Sequence, residues 1–264
     1  MKPFTYHRPV EIGQAAELLA ASPGAALLGG GMSLLPALKF RLAEHKALVD
    51  LTHIPTLRGI TATTETITIG AATPHRAVAA SAELARAIPA LAALARGIGD
   101  PHVRNRGTIG GVLANADPAA DYPAAVLALG ATIITNRRSI RAADFFLGLF
   151  TTALAHGEII TAVRFPIPLA AAYVKFRSPA SRYAVVGVFV TRMADGARVA
   201  VTGAGPTVFR VPEMEQALAR EFSPAAITGI TVSADGLNGD IHAEPSYRAH
   251  LVGVMARRAV AQAA

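Results

Sequence analysis

Cysteine and tryptophan are both absent from the 264-residue chain, and aromatic residues make up only 6% of it. The absence of cysteine excludes disulfides, a thiolate nucleophile, cysteine-ligated zinc and any iron–sulfur cluster held by this chain itself. So few aromatic rings argue against a base-stacking surface for single-stranded nucleic acid. No apolar run reaches the length of about 18–20 residues that a membrane-spanning helix needs. The longest, Pro123 to Ile134, is interrupted by Gly130.

Charged residues are also scarce, at 16%, whereas apolar residues make up 52% of the chain and include many alanines. This balance predicts a folded protein with one large domain or about two to three small ones, and it excludes intrinsic disorder. The formal net charge of +7 reflects either a solvated, arginine-rich surface or attraction to an anionic ligand or an acidic partner subunit. The opening MKPFTYHRPV lacks the apolar core of a signal peptide, so we expect a cytoplasmic protein.

Hydrophobic periodicity divides the chain into three segments. The first is predicted to contain helices over 11–20 and 34–42 and strands over 25–28 and 47–51. The second is predicted to contain strands over 60–69, 127–135 and 158–165, helices over 75–80 and 82–95, and a polar loop over 97–121. The third is predicted to contain a hairpin of strands 183–193 and 197–203, turned by Asp195-Gly196, and helices over 211–220 and 246–263.

Three consecutive glycines, Gly29 to Gly31, follow an apolar strand and precede Ser33, which we expect to cap a short helix. Without side chains, such a loop can bend freely and turn several backbone N–H groups towards one anion. It is neither a GxGxxG nor a Walker A motif. An ordinary tight turn between a strand and a helix explains the same residues equally well.

A second glycine-rich stretch, RNRGTIGGVLANADPAAD, runs from Arg104 to Asp121. Gly107, Gly110 and Gly111 flank Thr108, whose hydroxyl can donate to a phosphate oxygen, and Asn, Asp and further polar side chains follow. A surface loop built from turn-forming residues is the alternative interpretation. Two such loops on one chain together favour the cradle of a pyrophosphate, which carries two negative charges.

The remaining polar residues indicate little on their own. The eight histidines show no metal-ligand spacing, so we interpret them as surface or capping residues and predict no metal site. The serines lack the setting of a hydrolase nucleophile. Lys175 and Arg177 are consistent with plain solvated charges, and Tyr183 with an ordinary core position. The basic residues form no stripe, so we predict no nucleic-acid partner.

The two glycine loops resemble those of the FAD-binding medium subunits of molybdenum hydroxylases, of the carbon monoxide dehydrogenase and xanthine dehydrogenase types. The similarity lies in LLGGGMSLLPALKFRL with ALVDL, and in VRNRGTIGGVLANADPAADYPAAVLALGA. The opening MKPFTYHRP, TIGAATPH and YVKFRSPASRYAVVGV also fit, so that the resemblance covers essentially the whole chain.

The resemblance implies an α+β architecture. Two α/β subdomains of the PCMH/vanillyl-alcohol-oxidase type, over 1–55 and 56–167, bind noncovalent FAD between them. A C-terminal α+β domain with a three-stranded antiparallel sheet and helices follows over 168–264.

The resemblance also implies residue roles. The FAD pyrophosphate and ribityl chain are expected against Leu27, Leu28, Gly29, Gly30, Gly31, Met32, Ser33 and Leu34. The second wall of the pyrophosphate site is expected to consist of Gly107, Thr108, Gly110 and Gly111, with Asn115 and Asp117 nearby. Asp121 is expected to contact the adenosine half of FAD. The flavin ring is expected to lie against Ile159 and Ile160, with Tyr183 at its reactive edge. Lys175 is expected at the flavin carbonyls, where its ammonium group would stabilise the reduced flavin.

Three positions depart from the family pattern. Gly29 stands where many members have alanine, Met32 where members often have a polar residue, and Val112 where many have asparagine. These changes alter little if the family binds FAD there through backbone N–H groups, and they alter FAD affinity or potential if a side chain makes the contact.

The function implied is that of an oxidoreductase subunit for electron transfer. Electrons from a molybdenum cofactor on a large partner subunit would cross [2Fe-2S] clusters on a small partner subunit and reach FAD on this chain. The expected assembly is a dimer of heterotrimers. The substrate and the final electron acceptor stay open. The alternatives are a self-sufficient FAD-dependent oxidoreductase with its own small substrate, and a basic, non-catalytic scaffold or nucleic-acid binder.

Overall fold

The N-terminal part of the chain forms a parallel three-stranded sheet. In the computed structural model, which describes residues 1–263, its elements are β1 (Thr5–His7), α1 (Ile12–Ala21), β2 (Ala25–Leu28), α2 (Leu34–Lys39) and β3 (Ala47–Asp50). The strand order is β1-β3-β2, and the central strand β3 is buried along its whole length. The helix predicted to reach 42 ends earlier, at Lys39, because Arg41 adopts a left-handed conformation with φ of 59°.

The second sheet is antiparallel and has five strands. These are β4 (Ile60–Ala62), β5 (Thr66–Gly70), β6 (Thr132–Thr135), β7 (Ser139–Arg141) and β10 (Ile160–Pro166), in the order β4-β5-β10-β6-β7. The single strand predicted over 60–69 is therefore a hairpin. Thr63 turns the chain because its hydroxyl oxygen accepts a hydrogen bond from the Thr66 N–H at 2.9 Å. A small separate hairpin consists of β8 (Phe146–Gly148) and β9 (Thr151–Thr152).

Six helices lie between the strands of the second sheet. They are α3 (His75–Ala80), α4 (Ala82–Ala87), α5 (Pro89–Arg96), α6 (Pro101–Arg106), α7 (Ile109–Asn115) and α8 (Tyr122–Ala128). The helix predicted over 82–95 is split because Pro89 starts a new helix. Part of the strand predicted over 127–135 is the end of α8, so β6 begins only at Thr132.

The polar stretch predicted as one loop over 97–121 contains two short helices, α6 and α7. Each begins at a side chain that caps it. The Asp100 carboxylate accepts from the Val103 N–H at 2.9 Å, and the Thr108 hydroxyl oxygen accepts from the Gly111 N–H at 3.2 Å. Caps of this kind stabilise short helices. α6 buries no residue, and α7 buries Ile109 and Leu113 over only seven residues, too short a pattern for periodicity to indicate.

The C-terminal part packs two helices on an antiparallel sheet. Its elements are β11 (Ala170–Arg177), β12 (Ala184–Met193), β13 (Gly196–Thr202), β14 (Phe209–Arg210), α9 (Pro212–Arg220) and α10 (Pro245–Ala263). The three strands that the resemblance implies are present, and the two-residue β14 adds a fourth. The Asp195-Gly196 turn joins β12 and β13 as predicted. Short 3₁₀ segments occupy Leu51–His53, Pro55–Leu57, Ala142–Asp144 and Ala225–Ile227.

The second and third sheets share a core. Phe189 and Ala200, on β12 and β13, are fully buried in the same cluster as residues of the second sheet. The Thr202 hydroxyl also donates to the backbone of the loop before α8, at Pro118 O and Ala120 O. This loop is therefore held on the C-terminal sheet. The domain boundaries at 55 and 167 stay a prediction. None of the helices within residues 1–263 is long and apolar enough to cross a membrane.

Candidate functional site

A cavity of about 450 Å³ lies where loops from all three parts of the chain meet. This volume is within the usual range for a cofactor pocket. Its wall contains the first glycine loop (residues 29–33, after β2), the second glycine loop (residues 107–111, before and within α7) and the 181–183 segment before β12. The two loops that the sequence singled out are thus brought to one site.

The first glycine loop presents backbone donors that the protein does not use. Within residues 1–263, none of the N–H groups from Gly29 to Ser33 donates a hydrogen bond to another protein group. All five residues line the cavity. Consecutive free N–H groups form a concave site for an anion. Ser33 occupies the N-cap position of α2 as expected, but its side chain makes no capping bond to the described residues.

The two glycine loops interlock through their backbones. A Cβ atom at Gly30 would overlap the carbonyl oxygen of Arg106. A Cβ atom at Gly29 would lie 3.1 Å from Thr108 Oγ1 and 3.3 Å from Gly111 Cα. Gly30 is therefore needed because the backbone of the second loop presses against it, a reason that the sequence alone did not reveal, whereas an alanine at Gly29 would require only small shifts.

The second glycine loop also packs tightly on its far side. A Cβ atom at Gly107 would lie 2.6 Å from His75 Nε2, and one at Gly110 would lie 2.6 Å from the Cβ of Ala71. Thr108 is 3% exposed, and its oxygen accepts the capping bond of α7. The predicted donation to a phosphate therefore uses the same hydroxyl that fixes the start of this helix.

Asn115, the last residue of α7, and Asp117, just after it, line the cavity. Asp117 Oδ1 accepts from the Ala119 N–H at 2.9 Å, which makes it a turn-capping residue. Burial raises the pKa of its carboxyl above the ordinary value, and the bond from Ala119 opposes that rise.

Asp121 and Lys175 form an ion pair, at 2.9 Å between Asp121 Oδ1 and Lys175 Nζ. Both side chains are nearly buried, at 5% and 10% exposed, and the Tyr173 hydroxyl also donates to Asp121. Burial raises the pKa of Asp121, with the Lys175 ammonium opposing it. Asp121 was expected at the adenosine half and Lys175 at the flavin. One ion pair cannot serve opposite ends of an extended dinucleotide, so these two expectations are incompatible.

Lys175 differs from its expected role in a second way. Its three ammonium hydrogens are directed to Asp121, to Gly97 O at 3.1 Å and to Arg182 O at 2.9 Å. An ammonium group has three hydrogens to donate, so none is left for a flavin carbonyl. Lys175 is also not part of the cavity wall formed by residues 1–263. The catalytic role expected for Lys175 is therefore not supported by this geometry.

Tyr183 lines the cavity and remains 44% exposed. Burial is the largest cause that raises the pKa of its hydroxyl, followed by the nearby carboxylates of Asp117 and Asp121, while the Ser33 hydroxyl lowers it. The tyrosine therefore lies next to both the first glycine loop and the acidic residues of the loop before α8.

Some of the apolar residues expected to contact FAD line the cavity, and others do not. Leu27, Leu34 and Ile160 line the cavity, as do Met32 and Val112, where the sequence departs from the family pattern. Leu28 and Ile159 do not, among the described residues, belong to its wall. Ile159 is fully buried in the core of the first sheet with Val49 and Ile54. Other members of this cluster, Leu57 and Ala72, do line the cavity, so the expected contact of Ile159 with a flavin stays a prediction.

Sequence reasoning missed two buried polar residues of the cavity wall. His75 is 1% exposed, and burial followed by the charge of Arg104 lowers its pKa to about 4, so the ring is neutral. Its interpretation as a surface or capping residue is wrong. The other is Glu158, which binds Arg138 through two hydrogen bonds of 3.0 Å. The sequence offers no local signal for Glu158, whereas His75 lies in the TIGAATPH segment that carries the resemblance.

Interlocked glycine loops with free N–H groups around a deep cavity define a protein that binds a phosphate-containing cofactor. The family described as FAD binding domain in molybdopterin dehydrogenase matches residues 2–168. The chain belongs to this family, which confirms the resemblance, the FAD cofactor and the oxidoreductase class.

Individual relatives match over nearly the whole chain. The carbon monoxide dehydrogenase medium chain of Hydrogenophaga pseudoflava is 34% identical, over 97% of this chain and 96% of its own length. The nicotine 6-hydroxylase medium subunit of Paenarthrobacter nicotinovorans is also 34% identical, over 98% and 96%. Among solved structures, quinoline 2-oxidoreductase from Pseudomonas putida 86 matches with a TM-score of 0.89 and 29% identity, over 100% of this chain and 98% of that chain. The fold expected from the resemblance is confirmed.

Proposed function

We propose that this chain is the FAD-binding electron-transfer subunit of a molybdenum-dependent hydroxylase or dehydrogenase. The observation that carries the proposal is the row of five N–H groups, Gly29 to Ser33, that donate to no described protein group and belong to residues lining the same cavity as the second glycine loop. FAD, when bound, supplies the redox chemistry, and the protein supplies position and electrostatics.

The first glycine loop is proposed to bind the pyrophosphate. Its N–H groups offer several hydrogen bonds to phosphate oxygens, and bonds of this kind to a charged acceptor are stronger than neutral ones. The side-chain-free surface at Gly29 to Gly31 lets an anion approach the backbone closely. Across the cavity, Thr108 and Gly111 at the start of α7 are proposed as the second wall.

The flavin ring is proposed to lie towards Ile160 and Tyr183. Ile160 offers an apolar surface, and Tyr183 is a half-exposed aromatic residue on the cavity wall. The carboxylates of Asp117 and Asp121 lie on the same side as Tyr183. Asp121 therefore belongs with the Tyr183 side of the cavity in this proposal, and its expected contact with adenosine is not carried forward.

The partners are proposed from the relatives and from the missing cysteines. The relatives are named as medium chains or subunits, so a multi-subunit enzyme is the natural setting. A chain without cysteine cannot hold iron–sulfur clusters in the usual way. The [2Fe-2S] clusters are therefore assigned to a small partner subunit, and the molybdenum cofactor to a large one. A dimer of heterotrimers in the cytoplasm remains part of the proposal.

Titration of the apoprotein with FAD tests the proposal. We expect saturable binding of one FAD per chain, with a flavin absorption spectrum and release of free FAD on denaturation. FAD at 100 times its dissociation constant should stabilise the fold by about 2.7 kcal/mol. Protein that stays colourless and gains no thermal stability with FAD would contradict the proposal. Co-purification as a complex with molybdenum and iron separates this function from that of a self-sufficient flavoprotein.

A further inference from the structure

Three consecutive carbonyl groups after α5 are all bound by cationic side chains. They belong to residues 97–99, of which Ile98 and Gly99 line the cavity. The donors are Lys175 Nζ to Gly97 O (3.1 Å), Arg104 Nη1 to Ile98 O (2.9 Å) and Gly99 O (3.0 Å), and Arg182 Nη1 to Gly99 O (3.3 Å). Part of the positive charge of the chain is therefore used inside the fold, to fix one short segment of backbone.

Lys175 joins this segment to two others. Its ammonium also donates to Arg182 O, in the 178–183 turn, and to Asp121, at the start of α8. Ser181, Arg182 and Tyr183 line the cavity, as does Asp121. The ammonium thus lies at the junction of three wall segments while remaining outside the wall itself.

The 178–183 turn needs such support. Inside the turn, the Arg182 N–H donates to Ser178 O and the Ser178 N–H donates to Tyr183 O, both at 2.9 Å. Arg182 itself has a left-handed backbone conformation, with φ of 63°, which is unfavourable for a residue other than glycine. The bonds from Lys175 to Arg182 O and from Arg182 to the 97–99 segment hold this conformation in place.

We propose that Lys175 is a positioning residue that holds Tyr183 and the 97–99 segment against the cavity without touching the cofactor. The inference rests on the proposed FAD function. In it, Lys175 affects FAD binding only by holding residues of the cavity wall in position. Loss of the lysine frees two backbone carbonyls and lets the turn and the 97–99 segment separate. The cavity then binds FAD less tightly, while the electronic surroundings of the flavin ring stay as they were.

The test needs a paired substitution. Lys175→Met alone would leave the Asp121 carboxylate buried without its partner, which is strongly destabilising for reasons unrelated to the cavity. Lys175→Met with Asp121→Asn removes both charges and keeps an acceptor for the Tyr173 hydroxyl. Because Asp121 lines the cavity, Asp121→Asn alone is the reference against which this paired variant is compared. Lys2→Met is the control, because Lys2 pairs with Glu44 on the surface and both are more than half exposed.

Two quantities separate positioning from direct contact: the dissociation constant of FAD from the full-length protein and the reduction potential of the bound flavin. We expect the paired variant to bind FAD at least tenfold more weakly than Asp121→Asn, with a potential within about 30 mV of that single variant. A shift of about 30 mV equals a tenfold change for two electrons. The Lys2→Met control should change neither quantity.

Hydrogen exchange of the apoprotein supplies a measurement that does not require the variant to fold. In wild type, the amides of the 178–183 turn and of the 97–99 segment should open with the same free energy, because one ammonium ties them together. In the paired variant both should exchange faster.

Three outcomes would overturn the inference: an FAD affinity in the paired variant equal to that of Asp121→Asn, a potential that differs from that of Asp121→Asn by more than about 30 mV, or independent opening of the two segments in wild type. Failure of wild type to bind FAD would instead refute the proposed function, and the exchange measurement would still test the role of Lys175.

Discussion

Gly30 lies where the first glycine loop presses on the second, so Gly30→Ala tests whether their interlock shapes the cofactor site. The added Cβ would overlap the Arg106 carbonyl oxygen and lie 3.2 Å from Gly107 Cα. Both neighbours are backbone atoms, so no side-chain rotation can relieve the contact. The two loops must therefore move apart, and the free N–H groups of the first loop move with them.

The expected magnitude follows from the cost of overpacking, which is typically about 1–3 kcal/mol. For a chain of this size, each kcal/mol lowers Tm by about 2–4 °C, so Gly30→Ala should melt about 2–12 °C below wild type. FAD binding should suffer in addition, because an anion site depends on several N–H groups aimed at one point. We expect at least a tenfold loss of affinity, equal to about 1.4 kcal/mol.

Calorimetry with and without FAD, together with a fluorescence titration, measures both effects. Gly13→Ala is the matched control, since no atom lies within 4 Å of its added Cβ in α1. That control should gain about 0.5–1 kcal/mol of stability as a helix substitution and leave FAD affinity unchanged. If Gly30→Ala melted and bound FAD like wild type, the close approach of the two loops would not be what forms the site.

Two further predictions concern pH. Arg138 is the main cause that lowers the pKa of Glu158 to about 2, so the pair stabilises the fold above pH 4.5 and loses this effect as the pH falls towards 2. Glu158→Gln should therefore lower the urea midpoint at pH 7. The urea midpoint of this variant should also fall less between pH 5 and pH 3 than that of wild type. The pKa of His75 is lowered to about 4 in the fold, so on acidification this histidine takes up a proton in the unfolded chain before it does so in the folded one. The free energy of unfolding therefore decreases below about pH 6.5. His75→Gln should reduce this loss of stability between pH 7 and pH 5.

These pH predictions have their own controls. Asp144→Asn breaks an ion pair with Arg141 that is exposed on both sides, and such pairs contribute about 0–1 kcal/mol. It should therefore leave the urea midpoint nearly unchanged at every pH. An equal effect of Glu158→Gln and Asp144→Asn, or an NMR titration of His75 centred near pH 6.5, would contradict the assignments.

Local features of the sequence predicted much of the fold. The Asp195-Gly196 turn predicted the hairpin of β12 and β13, and the apolar runs before the first glycine loop and at Ala47–Asp50 predicted neighbouring parallel strands. The prediction of one loop over 97–121 was wrong, because α6 and α7 are short helices that each begin at a single capping side chain, and only α7 buries apolar residues.

Adjacent residues show where local patterns lose their predictive value. Ile159 and Ile160 are alike in sequence and both buried, yet they belong to different core clusters and only Ile160 also lines the cavity. Lys175 was expected at the flavin because its position matches a family lysine. Its hydrogen-bond partner Gly97 is 78 residues away in the chain, and its partner Asp121 is 54 residues away. No local pattern indicates that these groups occupy all of its hydrogens.

The sequence by itself determined the two glycine loops, their order along the chain, the family and the need for partner chains to hold any iron–sulfur cluster. Each of these depends on residue types within one short segment or on an absent residue type. The tertiary structure decided that the loops interlock, that Lys175 pairs with the cavity-lining Asp121 from outside the wall, and that His75 stays neutral. These properties depend on distances between remote segments and on burial, which arise only when the three sheets pack together.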